Sequence, residues 1–418
     1  MFYQLTTKYV CGIDLHAKKL DACVMDREGT MLKKKTIECQ PESILKFLTP
    51  WKKGITVGVE STYNWYWLID TLKEYEIPCC LGHALYIKRK MSTKHKTDSV
   101  DSRSIADLLR TNQFPLAYAY PQEMRTVRDL LRRRHFFVRT RASTITHFQN
   151  SLHQDGCIEP LRNKLQYKST RWSLVNLTDN IDLQKILSTD LEYIKSLDII
   201  VDDLDKVIRD KARSHNRKHF EALQTMPGCG ITTALTILYE THTIDRFHTP
   251  QCFSSYSRVV RAENESAGKN LGGTSNDKIG NPYLKWAFSE IGQSMIKYYP
   301  DIQKWHQKQS VEHGKAGAHA RQRHKIAVAV YYMLKNDSVF DMDKFLGKTK
   351  DRAENHSQKW TETSGQKKSE PISFKTDNPS GHSKIQKTKP RVNKAIHKNT
   401  SGRVSLRTTG RRKVLKKA

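Results

Sequence analysis

Apolar and polar positions divide the chain into regions of different period. Residues 9–17 (YVCGIDLHA), 20–26 (LDACVMD) and 31–39 (MLKKKTIEC) read as three strands, with a turn at Glu28-Gly29-Thr30 between the second and third. Pro41 opens a short helix through Ile44, Leu45, Phe47 and Leu48. Residues 55–60 (ITVGVE) lack polar alternation, as expected of a strand buried on both faces. An aromatic-rich helix at about 63–76, a fifth strand at 78–82 and a helix near 99–111 follow. Three strands and then alternating helices and strands predict a mixed α/β sheet domain over 1–118.

From 119 to 215 the period is helical. Leu187, Ile194, Val201 and Ile208 recur at seven-residue steps, with Leu191, Leu197 and Leu204 between them. That is a coiled-coil-like seam, open either to a second copy of the chain or to a helical hairpin within one chain. Residues 216–346 predict a second compact domain, mostly helical. It opens at Met226-Pro227-Gly228-Cys229-Gly230-Ile231, carries a glycine-rich stretch at 268–280 and ends in a periodic helix at 318–335. Beyond 347 apolar residues thin out, and 351–418 holds 18 basic against 5 acidic residues. A disordered basic tail is expected at 347–418.

The tail supplies less than half of the charge. Lys and Arg total 72 and Asp and Glu 43, a formal net charge of +29 over 418 residues. Such an excess calls for a polyanionic partner, with nucleic acid the default. Part of it is concentrated between 124 and 141: Arg125, Arg128, Arg132, Arg133, Arg134, Arg139 and Arg141, interleaved with Phe136 and Phe137, suit contact with a nucleic-acid backbone. His319, Arg321, Arg323 and Lys325 form a second basic helical patch. No run approaches the roughly 18–20 apolar residues of a membrane span. Met1–Tyr9 lacks a signal-peptide core, and the eight cysteines show neither a CxxC pair nor zinc spacing. A reduced, intracellular, soluble protein is expected.

Four carboxylates stand out. Asp14 falls in the middle of the first strand, where a carboxylate needs a partner. Glu60 ends the fourth strand. Asp98 and Asp101 open a helix, and their three-residue step places them on one face. One carboxylate mid-strand, one at a neighbouring strand end and others from a later helix is the layout of an RNase H-like nuclease. Such a cluster stays ionised when a cation neutralises it, so Mg²⁺ is implied. Three of them also have plain alternatives, Asp98 as a helix cap, Asp101 as a dipole partner and Glu60 in a surface ion pair, while Asp14 is the hardest to explain away.

With these residues in view the sequence resembles the DEDD-type transposases of the insertion sequence 110 family, which are RNA-guided serine recombinases. The resemblance runs through Gly12-Ile13-Asp14, Val59-Glu60-Ser61 and Lys96-Thr97-Asp98-Ser99-Val100-Asp101. In the second half it runs through Pro227-Gly228-Cys229-Gly230, Glu265-Ser266-Ala267-Gly268-Lys269 and Lys278 to Ala287. It spans about 9–346 and implies that Asp14, Glu60, Asp98 and Asp101 bind metal and that Ser266 is the nucleophile. Small neighbours and Lys269 suit the approach of a phosphate to that serine; by local sequence alone, Ser254 and Ser275 are equivalent candidates. The resemblance further implies double-stranded donor and target DNA, a structured guide RNA from the element, a homodimer or tetramer, and a cytoplasmic, nucleoid-associated location in a bacterium. The Pro227–Gly230 turn reads as a helix-hairpin-helix or as a simple helix connection. Two rival functions are a metal-dependent junction-resolving endonuclease that uses water, and a non-catalytic nucleic-acid-binding protein with structural carboxylates. The basic tail is a departure from the family pattern.

Overall fold

The computed structural model describes residues 2–90, 98–157, 165, 167–212, 216–260, 265–266, 269–270 and 279–347; at 98–100, 265–266 and 269–270 it describes the backbone alone. The expected tail therefore lies outside the described residues, apart from Gly347.

The N-terminal region is a five-stranded sheet of order β3-β2-β1-β4-β5. Its strands are β1 (Tyr9–Leu15), β2 (Lys19–Asp26), β3 (Met31–Glu38), β4 (Ile55–Glu60) and β5 (Cys79–Gly82). β1, β2 and β3 form an antiparallel meander; β4 and β5 run parallel to β1. Strand alternation separates two faces. Cys11, Ile13, Leu15, Ile55, Val57 and Val59 pack on one side with residues of α1 (Pro41–Leu48) and α2 (Tyr66–Glu74). Val10, Cys23 and Met25 face the other side and pack with Ile105, Ala106 and Leu109 of α4 (Asp98–Arg110), which follows the short α3 (Ala84–Lys90).

The rest is helical. α5 (Gln122–Gln154) and α6 (Ile181–Ala212) pair along their length. Leu187, Leu191, Ile194, Leu197, Val201 and Ile208 are all buried on the α6 seam. Phe148 and Leu152 of α5 cluster with Leu187, Leu191 and Ile194. Within one chain the seam is thus a helical hairpin, the second of the two openings its heptads allowed. At the other end Met124, Val127, Leu131 and Ile208 enter the main helical core. The 119–215 segment is therefore continuous with the helical region by burial.

That region contains α7 (Arg217–Gln224), α8 (Ile231–Thr241), α9 (Pro250–Tyr256), a hairpin of β6 (Glu265–Ser266) and β7 (Lys269–Asn270), α10 (Pro282–Tyr298), α11 (Pro300–Lys335) and α12 (Met342–Leu346). α11 is interrupted at Gly314, whose φ of 71° and ψ of 163° are not helical. His306 and His319 have ring centroids 4.5 Å apart, whereas thirteen residues of straight helix would separate them by roughly 20 Å. The chain therefore folds back at Gly314. Among the described residues no helix is long and apolar enough to cross a membrane.

Candidate active site

Strand register and one glycine assemble the acidic edge of the sheet. Asp14 is directly opposite Asp21 across β1 and β2. One position beyond the last β1–β4 pair, Ile13 with Val59, come Asp14 and Glu60. Alternation puts Asp21, Asp14 and Glu60 on the same face as Gly12, the face covered by α4. A Cβ at Gly12 would lie 2.2 Å from the Ser102 carbonyl oxygen and 2.3 Å from the Ala106 nitrogen. Only a glycine lets the helix backbone sit this low. Ser102 and Ala106 lie over Gly12, and Leu109 lies over Gly58 and clusters with Val10. The helix thus runs against β1, and its first turn, with Asp98 and Asp101, points toward the end of the strand that bears Asp14.

Asp14 is 7% exposed and Asp21 9%. The Thr36 hydroxyl donates to Asp21 Oδ1 at 2.5 Å. His16, two residues on, brings Nε2 to 3.4 Å from Asp14 Oδ2, and the Asn64 amide donates to the His16 carbonyl at 2.8 Å. Asp21 escaped the sequence reading. Its signal was present: it shares strand parity with the apolar Cys23 and Met25, and so faces the side of the sheet they pack on. Among the described residues no three His, Cys, Asp or Glu side chains are grouped closely enough to hold a metal ion; the Asp98 side chain is outside that set. The donor chemistry nevertheless suits a hard divalent cation, since Asp14, Glu60 and Asp101 offer carboxylate oxygens from three elements meeting at one edge.

The arginine-rich helix is used differently from the expectation. Arg125 is buried and forms a two-pronged pair with Asp70 of α2, at 2.5 and 2.9 Å, while its Nε donates to the Tyr120 carbonyl. Arg128 and Arg132 converge on Glu240 of α8, which is 1% exposed. Arg134 pairs with Asp205, and Arg141 shares Asp198 with Arg171. These five guanidiniums tie α5 to its neighbours, and their charge is spent within the chain. Arg133, Arg139 and Phe136 are exposed. Of the second patch Arg321 is exposed, Arg323 is half-buried, and Lys325 lies over the Trp305 and Phe345 rings at 5.2 Å from each. Burial alone would push the Glu240 carboxyl up, but the Arg132 and Arg128 guanidiniums and the Asn281 amide hold it below the ordinary carboxylate range. Asp198 is held low in the same way by Arg171 and Arg141 against its own burial.

Ser266 lies in the β6–β7 hairpin, where its register partner is Lys269. The two expected phosphate-handling residues therefore sit opposite each other across a two-residue connection. Ser254, one of the two alternatives, is fully buried on α9, which leaves its hydroxyl without access to a substrate; Ser275 lies outside the described residues. The Pro227–Gly230 segment does connect two helices, α7 and α8. Gly228 has φ +77° there, and its Cβ position falls 2.6 Å from Ser294 Cβ, so this glycine serves close packing against α10. Gly230 is exposed, with open space around its Cβ position.

Two transposase family models match separate parts of this chain. Residues 11–155, the sheet and α5, match the IS110 DEDD family model described as Transposase. Residues 220–307 match the model described as Transposase IS116/IS110/IS902 family. A mixed sheet with a buried acidic edge, followed by a helical region, with a transposase domain on each, makes the chain a transposase in class. The relative "Transposase for insertion sequence element IS1111A" from Coxiella burnetii (strain RSA 493 / Nine Mile phase I) is 21% identical over 269 residues, 63% of this chain and 71% of the relative. The two matches and this relative together support the IS110 family in particular.

Proposed function

We propose that the chain is a site-specific DNA recombinase that mobilises its own insertion sequence, cutting through Ser266 with an acidic site at the edge of the sheet. The observation that carries this reading is the convergence of Asp14, Glu60 and the first turn of α4 on one face, enforced by Gly12. The sheet order 3-2-1-4-5, with only the second strand antiparallel to its neighbours, supports an RNase H-like assignment.

Asp14, Glu60, Asp98 and Asp101 are the residues that would hold Mg²⁺. When bound, the cation would neutralise the carboxylates and favour charge build-up on a phosphodiester. The rest of the chemistry belongs to the chain. Ser266 Oγ attacks phosphorus, a Ser–O–P bond forms, and the P–O3′ bond breaks. The hydroxyl proton passes to solvent and the departing 3′ oxygen takes one up. The 5′-phosphoserine linkage conserves the bond for rejoining to a second strand. Lys269, the register partner of Ser266, supplies positive charge for the phosphate. A structured RNA from the element would pair with donor and target DNA, so that base pairing reads sequence while the protein reads backbone and shape. Exposed Arg133, Arg139 and Arg321 are the cations for that backbone. Two duplexes must be cut and exchanged, which calls for a homodimer or tetramer.

The test is a trapping assay with the full chain, element-end DNA, Mg²⁺ and RNA transcribed from the element's flanks, read on denaturing gels. A DNA–protein adduct lost in both Ser266→Ala and Asp14→Asn is expected. Cleavage without an adduct, retained in Ser266→Ala, would replace this reading with the water-using endonuclease.

A further inference from the structure

The Ser266 segment follows α9, which ends at Tyr256, leaves the helical core beyond the buried Val259, and reaches α10 at its cap, Asn281. Both ends meet. The Asn281 backbone N–H donates to the Tyr256 carbonyl. Gly280, at φ +85°, has its Cβ position 2.5 Å from the same oxygen, so any side chain would force the ends apart. The Asn281 side chain works in two directions. Its Oδ1 accepts from the Tyr283 and Leu284 amides at 2.9 and 3.2 Å, capping α10. Its Nδ2 donates to Glu240 Oε2 at 2.7 Å and to the Tyr256 hydroxyl at 3.3 Å.

Glu240 in turn is gripped from α5. Arg128 Nε reaches Oε2 at 3.0 Å, and Arg132 reaches Oε1 at 2.6 Å and Oε2 at 2.9 Å. The Arg132 guanidinium also lies 4.7 Å from the Tyr283 ring centroid, in the first turn of α10. Arg125, Arg128 and Arg132 follow at steps of three and four and share a face of α5. On that face Arg125 holds Asp70 of the sheet region, and the other two hold Glu240.

We propose that Asn281 and Glu240 are positioning residues that fix the base of the Ser266 segment to α5, and through Arg125 and Asp70 to the sheet that carries the acidic edge. This rests on Ser266 being the nucleophile. An attack on phosphorus tolerates little misplacement: about 1 Å can cost roughly 100-fold in rate. A segment of this length, joined to the core only by its two covalent ends, would not hold that tolerance. The Asn281 amide, buried with a charged acceptor, supplies a directional and strong tether.

Asn281→Ser separates this role from helix capping. Serine still caps α10 but has no amide to reach Glu240. In the full chain we expect DNA affinity to stay close to wild type and the thermal midpoint to fall by only a few degrees, the loss of one charge-assisted hydrogen bond, while the adduct yield falls at least tenfold. Amide hydrogen exchange should accelerate at least tenfold in peptides from 257 to 281 and remain unchanged in peptides from 231 to 250. Wild-type adduct yield in Asn281→Ser, or exchange raised evenly across the helical region, would overturn the inference alone. No adduct in the wild type, or an adduct that persists in Ser266→Ala, would overturn the reading of the serine and this inference with it.

Discussion

Gly12→Ala places a single methyl group between β1 and α4. The added Cβ would stand 2.2 Å from the Ser102 carbonyl oxygen and 2.3 Å from the Ala106 nitrogen, where ordinary contact begins at 3.4 Å. Both obstacles are helix backbone, so no side-chain rotation relieves the clash, and the helix must rise by about 1 Å. Overpacking of this kind costs about 1–3 kcal/mol. Lifting α4 also carries Asp98 and Asp101 away from Asp14, and a displacement near 1 Å at a reacting site corresponds to roughly 100-fold in rate. Urea unfolding should give the stability loss, and Mg²⁺-dependent strand cleavage at saturating DNA should give the rate loss. Gly54→Ala is the matched control, because its Cβ position has its nearest neighbours at 3.9 Å; it should leave both readouts unchanged. Gly12→Ala with wild-type stability and cleavage would refute the claim that this close approach sets the acidic site.

Other consequences follow from buried charge and packing. Glu240→Ala leaves Arg128 and Arg132 without their shared counter-charge and should cost about 3–5 kcal/mol in urea unfolding; a loss below about 1 kcal/mol would mean that water replaces the carboxylate freely. His306 and His319 both have pKa values lowered chiefly by burial, and further by the His319 ring beside His306 and the Arg323 guanidinium beside His319. A depressed folded pKa means the unfolded chain binds protons first, so this contribution is complete above the unfolded value near 6.5 and shrinks as pH falls below it. The urea midpoint should therefore decline from pH 7.5 to 5.5 less in His306→Gln than in the wild type, and equal slopes would contradict this. Ile194→Ala, fully buried between α5 and α6, should cost about 2–5 kcal/mol with a midpoint independent of protein concentration; a concentration-dependent midpoint would place the seam between chains. Arg133→Gln with Arg139→Gln should reduce the salt dependence of nucleic-acid binding by about 0.9 for each phosphate that is no longer neutralised without shifting the thermal midpoint, whereas a shifted midpoint would show the two to be structural.

The strands were legible because short-range alternation and β-branched runs declare themselves locally. The five expected strands between 9 and 82 match β1 to β5 within two residues. Asp14 and Glu60 could be singled out for the same reason: a carboxylate inside an apolar strand, or at its end, contradicts its surroundings. The arginines of α5 misled because composition does not say what a charge faces. Seven arginines in one stretch look like a surface for phosphate. Yet Asp70, Asp198, Asp205 and Glu240 lie 55 to 112 positions away in sequence from the α5 arginines they meet. The heptads of α6 were equally undecided, since an apolar stripe is satisfied by any matching stripe, and α5 proved to be the partner.

Local chemistry in the sequence thus determined the element types and singled out the acidic positions and the excess of positive charge, whereas Ser266 was marked out from Ser254 and Ser275 only by the family resemblance. The first three depend on a residue's own side chain or on neighbours a few positions away. Tertiary structure decided which carboxylates share a face, that Asp21 joins Asp14, which arginines are neutralised and what holds the ends of the serine segment. Those are matters of register, close approach and burial, and each is set by contacts between residues far apart in the chain. The energy of a charge depends on its surroundings far more than on its place in the sequence.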